Sequence, residues 1–377
     1  MIHLSQGTKK NKSKLASFIF LFVFIMPASV ASVLPLGTHL TYFYGVLFCY
    51  ILCGVYLWES LTDKKNTQAL IFTLSFVILG AVNLFVHKST ATFNIVAPVG
   101  AYIGYCFIMR KRVYLKYFDY LLILMYVYYY FTYFRTLPGL LYRPDFNEET
   151  VFAIASSNAI AIGLNMVLYA YMIFNKLNNE ARHKNILYFA IINFVLIVIQ
   201  QSRAGLVIAL VLLTMSAYEL NKKKFLGYLA FAIPILLAVA FFSLTMILDY
   251  IDLLGNVNVL EALTDDVRGE SQAAFFKDMD FNAFLFGYSS KVFGESGLTY
   301  TYNVFLDIWS RYGVLQLVIM LSMYTKRFTQ RRKFYFPLYY FIPFFAYSAL
   351  ESIFLPSFWD VIVFIPMFTR NFTTPSV

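Results

Sequence analysis

The sequence predicts an all-α fold: a polytopic integral membrane helical bundle with about 12 transmembrane helices and one large structured loop on the outer side. Composition is the first reason, because 60% of the 377 residues are hydrophobic, 13% are charged and the mean hydropathy is +0.66. The second reason is that apolar runs follow one another almost from end to end, each close to the ~20 residues that cross about 30 Å of hydrocarbon. We therefore expect residues 1–377 to form a single transmembrane domain.

Connections with charged or turn-forming residues separate the apolar runs. The first run follows several lysines and ends in small residues, so two interpretations are open: a retained signal anchor or a cleaved secretory signal. The runs lie near residues 15–33, 40–57, 69–86, 93–109, 117–134, 151–174, 186–201, 204–220, 225–248, 302–324, 336–354 and 358–369.

Positive charge alternates between the connections. With the amino terminus inside, 22 of the 30 lysines and arginines fall on one side of the bundle. Because lysine and arginine collect in cytoplasmic loops, this side is expected to be the inner one, with both termini on it. The net charge of +10 then reflects topology and does not indicate nucleic-acid binding.

The three cysteines, Cys49, Cys53 and Cys106, all lie inside apolar runs. This position does not favour an exported disulfide, and no Cys/His spacing is typical of a metal site. We expect neither a metal nor a cofactor.

One connection differs from the rest. Residues 249–303, between the ninth and tenth spans, form a long outer loop with many apolar side chains. The spacing of Leu260, Leu263 and Val267 predicts short amphipathic helices on the membrane face. A structured loop of this length is usually functional.

Three outer arginines oppose the positive-inside pattern. Arg203, in "QQSRAG", either snorkels to lipid headgroups or presents donors to a phosphate. Arg268, in "LTDDVRGES", is either a solvated loop residue or a ligand for an anion. Arg311, in "NVFLDIWSRYG", follows Asp307 by four residues, which favours an ion pair on one helix face and leaves a ligand-binding role open.

Two blocks of the sequence resemble one protein family. "SRAGLVIALVLL", at 202–213, looks like the serine-arginine-small-glycine-leucine element that opens a helix in the O-antigen ligase and O-antigen polymerase superfamily. In that superfamily, an arginine in the large outer loop is followed by an aromatic-glycine turn and by an asparagine-x-aromatic-leucine step into a helix bearing a glycine. The similar positions here are Arg268, Phe286-Gly287-Tyr288, Asn303-Val304-Phe305-Leu306 and Gly313.

The resemblance implies an O-antigen polymerase of the Wzy type. Ligases of the superfamily typically carry a histidine in the long outer loop, whereas this loop has none, which favours the polymerase branch. Such an enzyme moves a growing glycan from undecaprenyl diphosphate to a new lipid-linked repeat unit at the periplasmic face of the bacterial inner membrane. The alternatives are an O-antigen ligase that transfers polymer to lipid A-core and a lipid-linked oligosaccharide flippase.

The implied partners are the undecaprenyl-diphosphate-linked glycan donor and acceptor, membrane lipid, a chain-length regulator and a flippase, with no nucleic acid. A departing lipid diphosphate requires cations. We expect Arg203 and Arg268 to hold the diphosphate, with Arg311 as a third candidate. Candidate sugar contacts are Asn303, Tyr300 and Tyr302.

The attacking sugar hydroxyl also requires a proton acceptor. His87, at the outer end of the third run, is one candidate, and the loop carboxylates are the others. Glu270 and Asp266 are favoured among these carboxylates, although an acid paired with an arginine is a weaker base. The carboxylates are Asp265, Asp266, Glu270, Asp278, Asp280 and Glu295.

Overall fold

The computed structural model describes residues 14–15, 17–25, 39–87, 93–110, 114–136, 157–199, 202–221, 275–277, 279–288, 303–350, 357 and 359–370. This part of the chain is 88% helical and contains no strand, apart from one antiparallel bridge between Phe334 and Arg370. The all-α class is therefore confirmed. The number of spanning helices and the single-domain organisation stay predictions.

Most described helices lie within the predicted apolar runs, whereas the helix Phe281–Phe286 lies in the predicted outer loop. The described helices are α1 (His39–Tyr56), α2 (Thr67–His87), α3 (Phe93–Arg110), α4 (Lys116–Thr136), α5 (Ser157–Asn178), α6 (His183–Ile199), α7 (Arg203–Leu220), α8 (Phe281–Phe286), α9 (Val304–Tyr312), α10 (Val314–Thr329), α11 (Ile342–Leu350) and α12 (Asp360–Phe368). Shorter helical turns are Leu21–Ile25, Trp58–Leu61, Lys64–Asn66, Arg331–Lys333 and Leu338–Phe341.

The predicted run 302–324 is not one continuous helix. The chain breaks at Gly313, so that α9 has 9 residues and α10 has 16. Arg311 therefore lies in the last turn of a short helix, and not two turns into a long one. The run 225–248 and most of the loop 249–303 lie outside the described residues.

Hydrogen bonds join several helix ends at one end of the bundle. The Tyr335 hydroxyl donates to the Lys176 carbonyl at 2.8 Å, and the Tyr335 N–H donates to the Thr369 carbonyl at 3.0 Å. Arg182, just before α6, pairs with Asp119 of α4 at 2.6 Å. We call this the basic end, because the described helix ends there carry Arg110, Lys116, Lys176, Arg182, Lys184, Lys326, Arg327, Arg331, Arg332, Lys333 and Arg370.

Arg327 closes the basic end from inside. Its side chain is 1% exposed, and it donates to the carbonyls of Phe336 and Pro366. The guanidinium carbon lies 4.3 Å from the centroid of the Phe334 ring. Burial lowers the pKa of this guanidinium, which lies beyond the predicted span, to about 10, so it stays charged at neutral pH.

Large apolar side chains are exposed in rows at helical spacing. On α2, Ile71, Leu74, Ile78 and Phe85 are exposed, and Phe85 reaches 86%. By length and composition, two helical segments of the described chain qualify to cross a membrane, Lys64–His87 and Ile160–Asn178. Soluble monomers rarely expose large apolar patches, whereas helices in contact with lipid do. Similar rows are Tyr120, Ile123, Leu124 and Val127 on α4, and Tyr188, Ile191, Ile192 and Val195 on α6.

Candidate functional site

Two glycines meet at the end of the bundle opposite the basic end. Gly313, between α9 and α10, has φ +79°, and Gly287, after α8, has φ +83°. A Cβ added to Gly313 would overlap the carbonyl oxygen of Leu285, and one added to Gly287 would overlap the carbonyl oxygen of Ser310. Each turn therefore packs backbone against backbone on the other, which only glycine permits at both positions. We call this contact the Gly313 junction.

Asn83 of α2 holds the same turn. Its side-chain amide is 3% exposed and donates to the Phe286 carbonyl at 2.6 Å. The Tyr288 N–H donates to the Ser310 carbonyl at 2.7 Å, which ties the turn to α9. A turn from the long loop is thus fixed to two helices by hydrogen bonds.

Of the three arginines that the sequence predicts at the diphosphate site, Arg311 is the one whose side chain the structure describes. Its Nε lies 2.9 Å from the Asp307 carboxylate, so the ion pair expected from the four-residue spacing is present. Its Nη1 donates to the Asn94 side-chain oxygen at 3.1 Å, and the Tyr312 hydroxyl donates to the Asn94 carbonyl at 2.6 Å. The Arg311 side chain is 18% exposed and that of Asp307 is 6% exposed. The guanidinium is therefore held in one orientation by Asp307 and Asn94.

Aromatic side chains cover one side of the Gly313 junction. The Phe275, Phe284 and Trp309 rings pack together, with the Trp309 centroid 5.7 Å from Phe275 and 5.5 Å from Phe284. The Trp309 indole N–H donates to the Phe284 carbonyl at 3.1 Å. Phe276 and Phe281 are 56% and 75% exposed, so the cluster also presents an apolar surface.

The "SRAG" element opens α7. Ser202 caps this helix, because its hydroxyl accepts the Gly205 N–H at 3.1 Å. A Cβ added to Gly205 would lie 2.5 Å from the Ala161 Cβ, so glycine permits the close approach of α5. The serine and glycine of the motif therefore build a helix start and a helix contact.

Arg203 is the first residue of α7. Its side chain lies outside the described structure. The position itself is informative, because a helix N-terminus already carries partial positive charge and a cation there favours a nearby anion. A phosphate-holding role and snorkelling both fit this backbone position, so the role of Arg203 stays a prediction.

Buried amides support the start of α7. Asn165 of α5 donates to the Gly205 carbonyl at 2.9 Å, and Asn193 of α6 donates to the Asn165 side-chain oxygen at 2.7 Å. Both asparagines are fully buried. The chain of hydrogen bonds fixes three helices where the motif begins.

Two predicted polar candidates serve as helix caps. The Asn303 side-chain oxygen accepts the N–H groups of Phe305 and Leu306 at 2.9 and 3.3 Å. The Asp280 carboxylate accepts the Ala283 N–H at 2.6 Å. The sugar contact expected of Asn303 stays a prediction. The remaining predicted site residues, Arg268, Glu270, Asp266, Tyr300 and Tyr302, lie outside the described residues, so their roles stay predictions.

The sequence reasoning missed Asn83, Asn94 and Trp309. The available signal was an amide inside or beside an apolar run, because polar groups at membrane depth are costly and usually have a partner. Among the described residues, no three His, Cys, Asp or Glu side chains are grouped as a metal site requires. Comparisons with protein-family models, curated proteins and solved structures gave no match for this chain.

Proposed function

We propose that this chain is an integral membrane polymerase that joins undecaprenyl-diphosphate-linked oligosaccharide repeat units into a polysaccharide. In this proposal the protein lies in the bacterial inner membrane, with both termini in the cytoplasm and the Gly313 junction at the periplasmic face. The polymer is an O-antigen or a related surface glycan.

The orientation rests on charge. Lysines and arginines cluster at the basic end, and such clusters stay on the cytoplasmic side of a membrane protein. The Gly313 junction lies at the other end, where α2 ends and α3 begins. The exposed apolar rows on the helices between the two ends supply the lipid contact.

The observation that carries the proposal is the setting of Arg311. A partly exposed guanidinium is fixed by Asp307 and Asn94 beside a broken helix, and α10 begins just after the break. In transporters, the helix N-termini at such breaks point at anionic substrate groups. A planar fork of donors suits a phosphate. Because the fork is already oriented, little reorganisation is needed when charge develops on a leaving diphosphate.

The proposed reaction moves a glycan between lipid carriers. A hydroxyl of the distal sugar on the acceptor attacks the anomeric carbon of the donor glycan. The bond from that carbon to the phosphate oxygen breaks, its electron pair leaves with undecaprenyl diphosphate, and the hydroxyl proton passes to a base. Arg311 stabilises the charge on the departing diphosphate.

Reconstitution in proteoliposomes tests the proposal. Purified protein is supplied with lipid-linked repeat units, and the products are separated by length. We expect a ladder of multiples of one repeat from the wild type. Arg311→Lys keeps the charge but removes the fork, and should slow elongation by about 10²–10³-fold. The control Arg331→Lys, at the exposed basic end, should elongate normally. A wild-type protein that leaves single repeats unchanged would contradict the proposal.

A further inference from the structure

His87 has an unexplained ring nitrogen. It is the last residue of α2, and its Nε2 is buried and makes no hydrogen bond within the described part of the chain. Leaving a buried polar atom without a partner costs about 1–3 kcal/mol. Such an atom calls for an explanation in terms of a ligand, a water or a chemical role.

The position of His87 is fixed by the Gly313 junction. His87 follows Asn83 by four residues, so the two side chains are neighbours on one face of α2. Asn83 donates to the Phe286 carbonyl, which places His87 one helical turn beyond the docked turn. Arg311 reaches from α9 to Asn94 at the start of α3. His87 and Arg311 therefore lie at the same end of the bundle, the end that holds the Gly313 junction.

The described carboxylates at this end are already engaged. Asp307 pairs with Arg311, Asp280 caps α8, and the buried Asp360, near Tyr312, accepts the Ser357 N–H at 2.8 Å. A carboxylate that pairs with an arginine is a poor proton acceptor, because the pairing favours its charged form. A neutral imidazole accepts a proton through the nitrogen that carries the lone pair. Among the described groups at the junction, the His87 ring is the one suited to this task.

We propose that His87 is the proton acceptor of the transfer reaction, which rests on the proposed polymerase function. The Nε2 lone pair takes the proton of the acceptor sugar hydroxyl while the hydroxyl oxygen bonds to the anomeric carbon of the donor. The bond to the phosphate oxygen breaks, and undecaprenyl diphosphate leaves beside Arg311. The imidazolium then releases the proton to water.

His183 provides a matched control. It is the first residue of α6 at the basic end, where its Nδ1 lies 3.4 Å from the Asn175 side-chain nitrogen. A glutamine at either position keeps a polar side chain but cannot take up the proton. Loss of turnover at His87 alone would therefore reflect the position of the ring in the molecule.

The same proteoliposome assay tests the inference. We expect His87→Gln to lower turnover about 10²–10⁴-fold with an unchanged KM for the lipid-linked donor, while His183→Gln matches the wild type. Added imidazole should accelerate His87→Ala, since a free base then replaces the missing ring, and melting temperatures should show that the variants are folded.

Full turnover of His87→Gln, a raised KM at unchanged turnover, or no acceleration of His87→Ala by imidazole would each overturn the assignment of His87. In those cases the wild-type protein would still produce the ladder, and the proposed polymerase function would be unaffected. Absence of the wild-type ladder would instead refute the polymerase function itself.

Discussion

Replacing Gly313 with alanine is expected to destabilise the protein strongly. Gly313 has φ 79° and ψ 173°, a region that is almost restricted to glycine, so the backbone conformation alone costs an alanine about 1–3 kcal/mol. The new Cβ would also overlap the Leu285 carbonyl oxygen, and relieving such overpacking costs about 1–3 kcal/mol more. The expected loss of about 2–6 kcal/mol is a large share of the ~5–15 kcal/mol that stabilises a typical protein.

Thermal unfolding in detergent micelles measures this effect. Gly45→Ala is the control, because Gly45 lies inside α1 and, in the described part of the chain, no atom beyond its own helix backbone and chain neighbours lies within 4 Å of an added Cβ. Alanine at an open helical position is expected to be stabilising by about 0.5–1 kcal/mol. Gly313→Ala should therefore melt well below both the wild type and Gly45→Ala. Equal melting temperatures for the two variants would refute the packing described for the junction.

Three further predictions concern other parts of the molecule. Asn83→Ala should lose about 1–3 kcal/mol of stability, because the partly buried Phe286 carbonyl loses its donor. An unchanged melting temperature would show that this hydrogen bond is dispensable. Arg327→Met should lose about 2–5 kcal/mol of stability, since two buried carbonyls lose their donor. The control Arg331→Met, at an exposed position, should change stability by less than about 0.5 kcal/mol. Similar melting curves for both variants would argue against closure of the basic end by Arg327. Arg203→Lys should shorten the glycan ladder at a normal protein level, and a ladder of full length would exclude the phosphate fork at that position.

Apolar length located the helices well, because a run of hydrophobic side chains is the physical requirement of a spanning helix. It failed at Gly313, where the run is apolar on both sides and hydropathy carries no information about the sign of φ. The ion pair of Asp307 and Arg311 could be predicted, since a spacing of four residues places both side chains on one helical face. The break at Gly313 changes the position of that ion pair, because Arg311 then lies at a helix end and not inside a span.

The tertiary role of the amides could not be read from local sequence. Asn83 and Asn94 bond to residues about 200 positions away, and such pairs depend on how the helices pack. The family resemblance of the "SRAG" element stays a prediction, whereas its serine caps α7 and its glycine permits close packing. The packing role could not be read from the sequence, because it depends on the neighbouring helix α5.

Deleting the gene in its native host and resolving the surface glycan by length tests the polymerase function most directly. We expect the ladder to collapse to a single repeat unit on the acceptor, and to return when the wild-type chain is restored. Loss of all attached glycan would contradict the polymerase function. Polymer stranded on the lipid carrier at the outer face would then indicate a ligase, and single repeats trapped at the inner face would indicate a flippase.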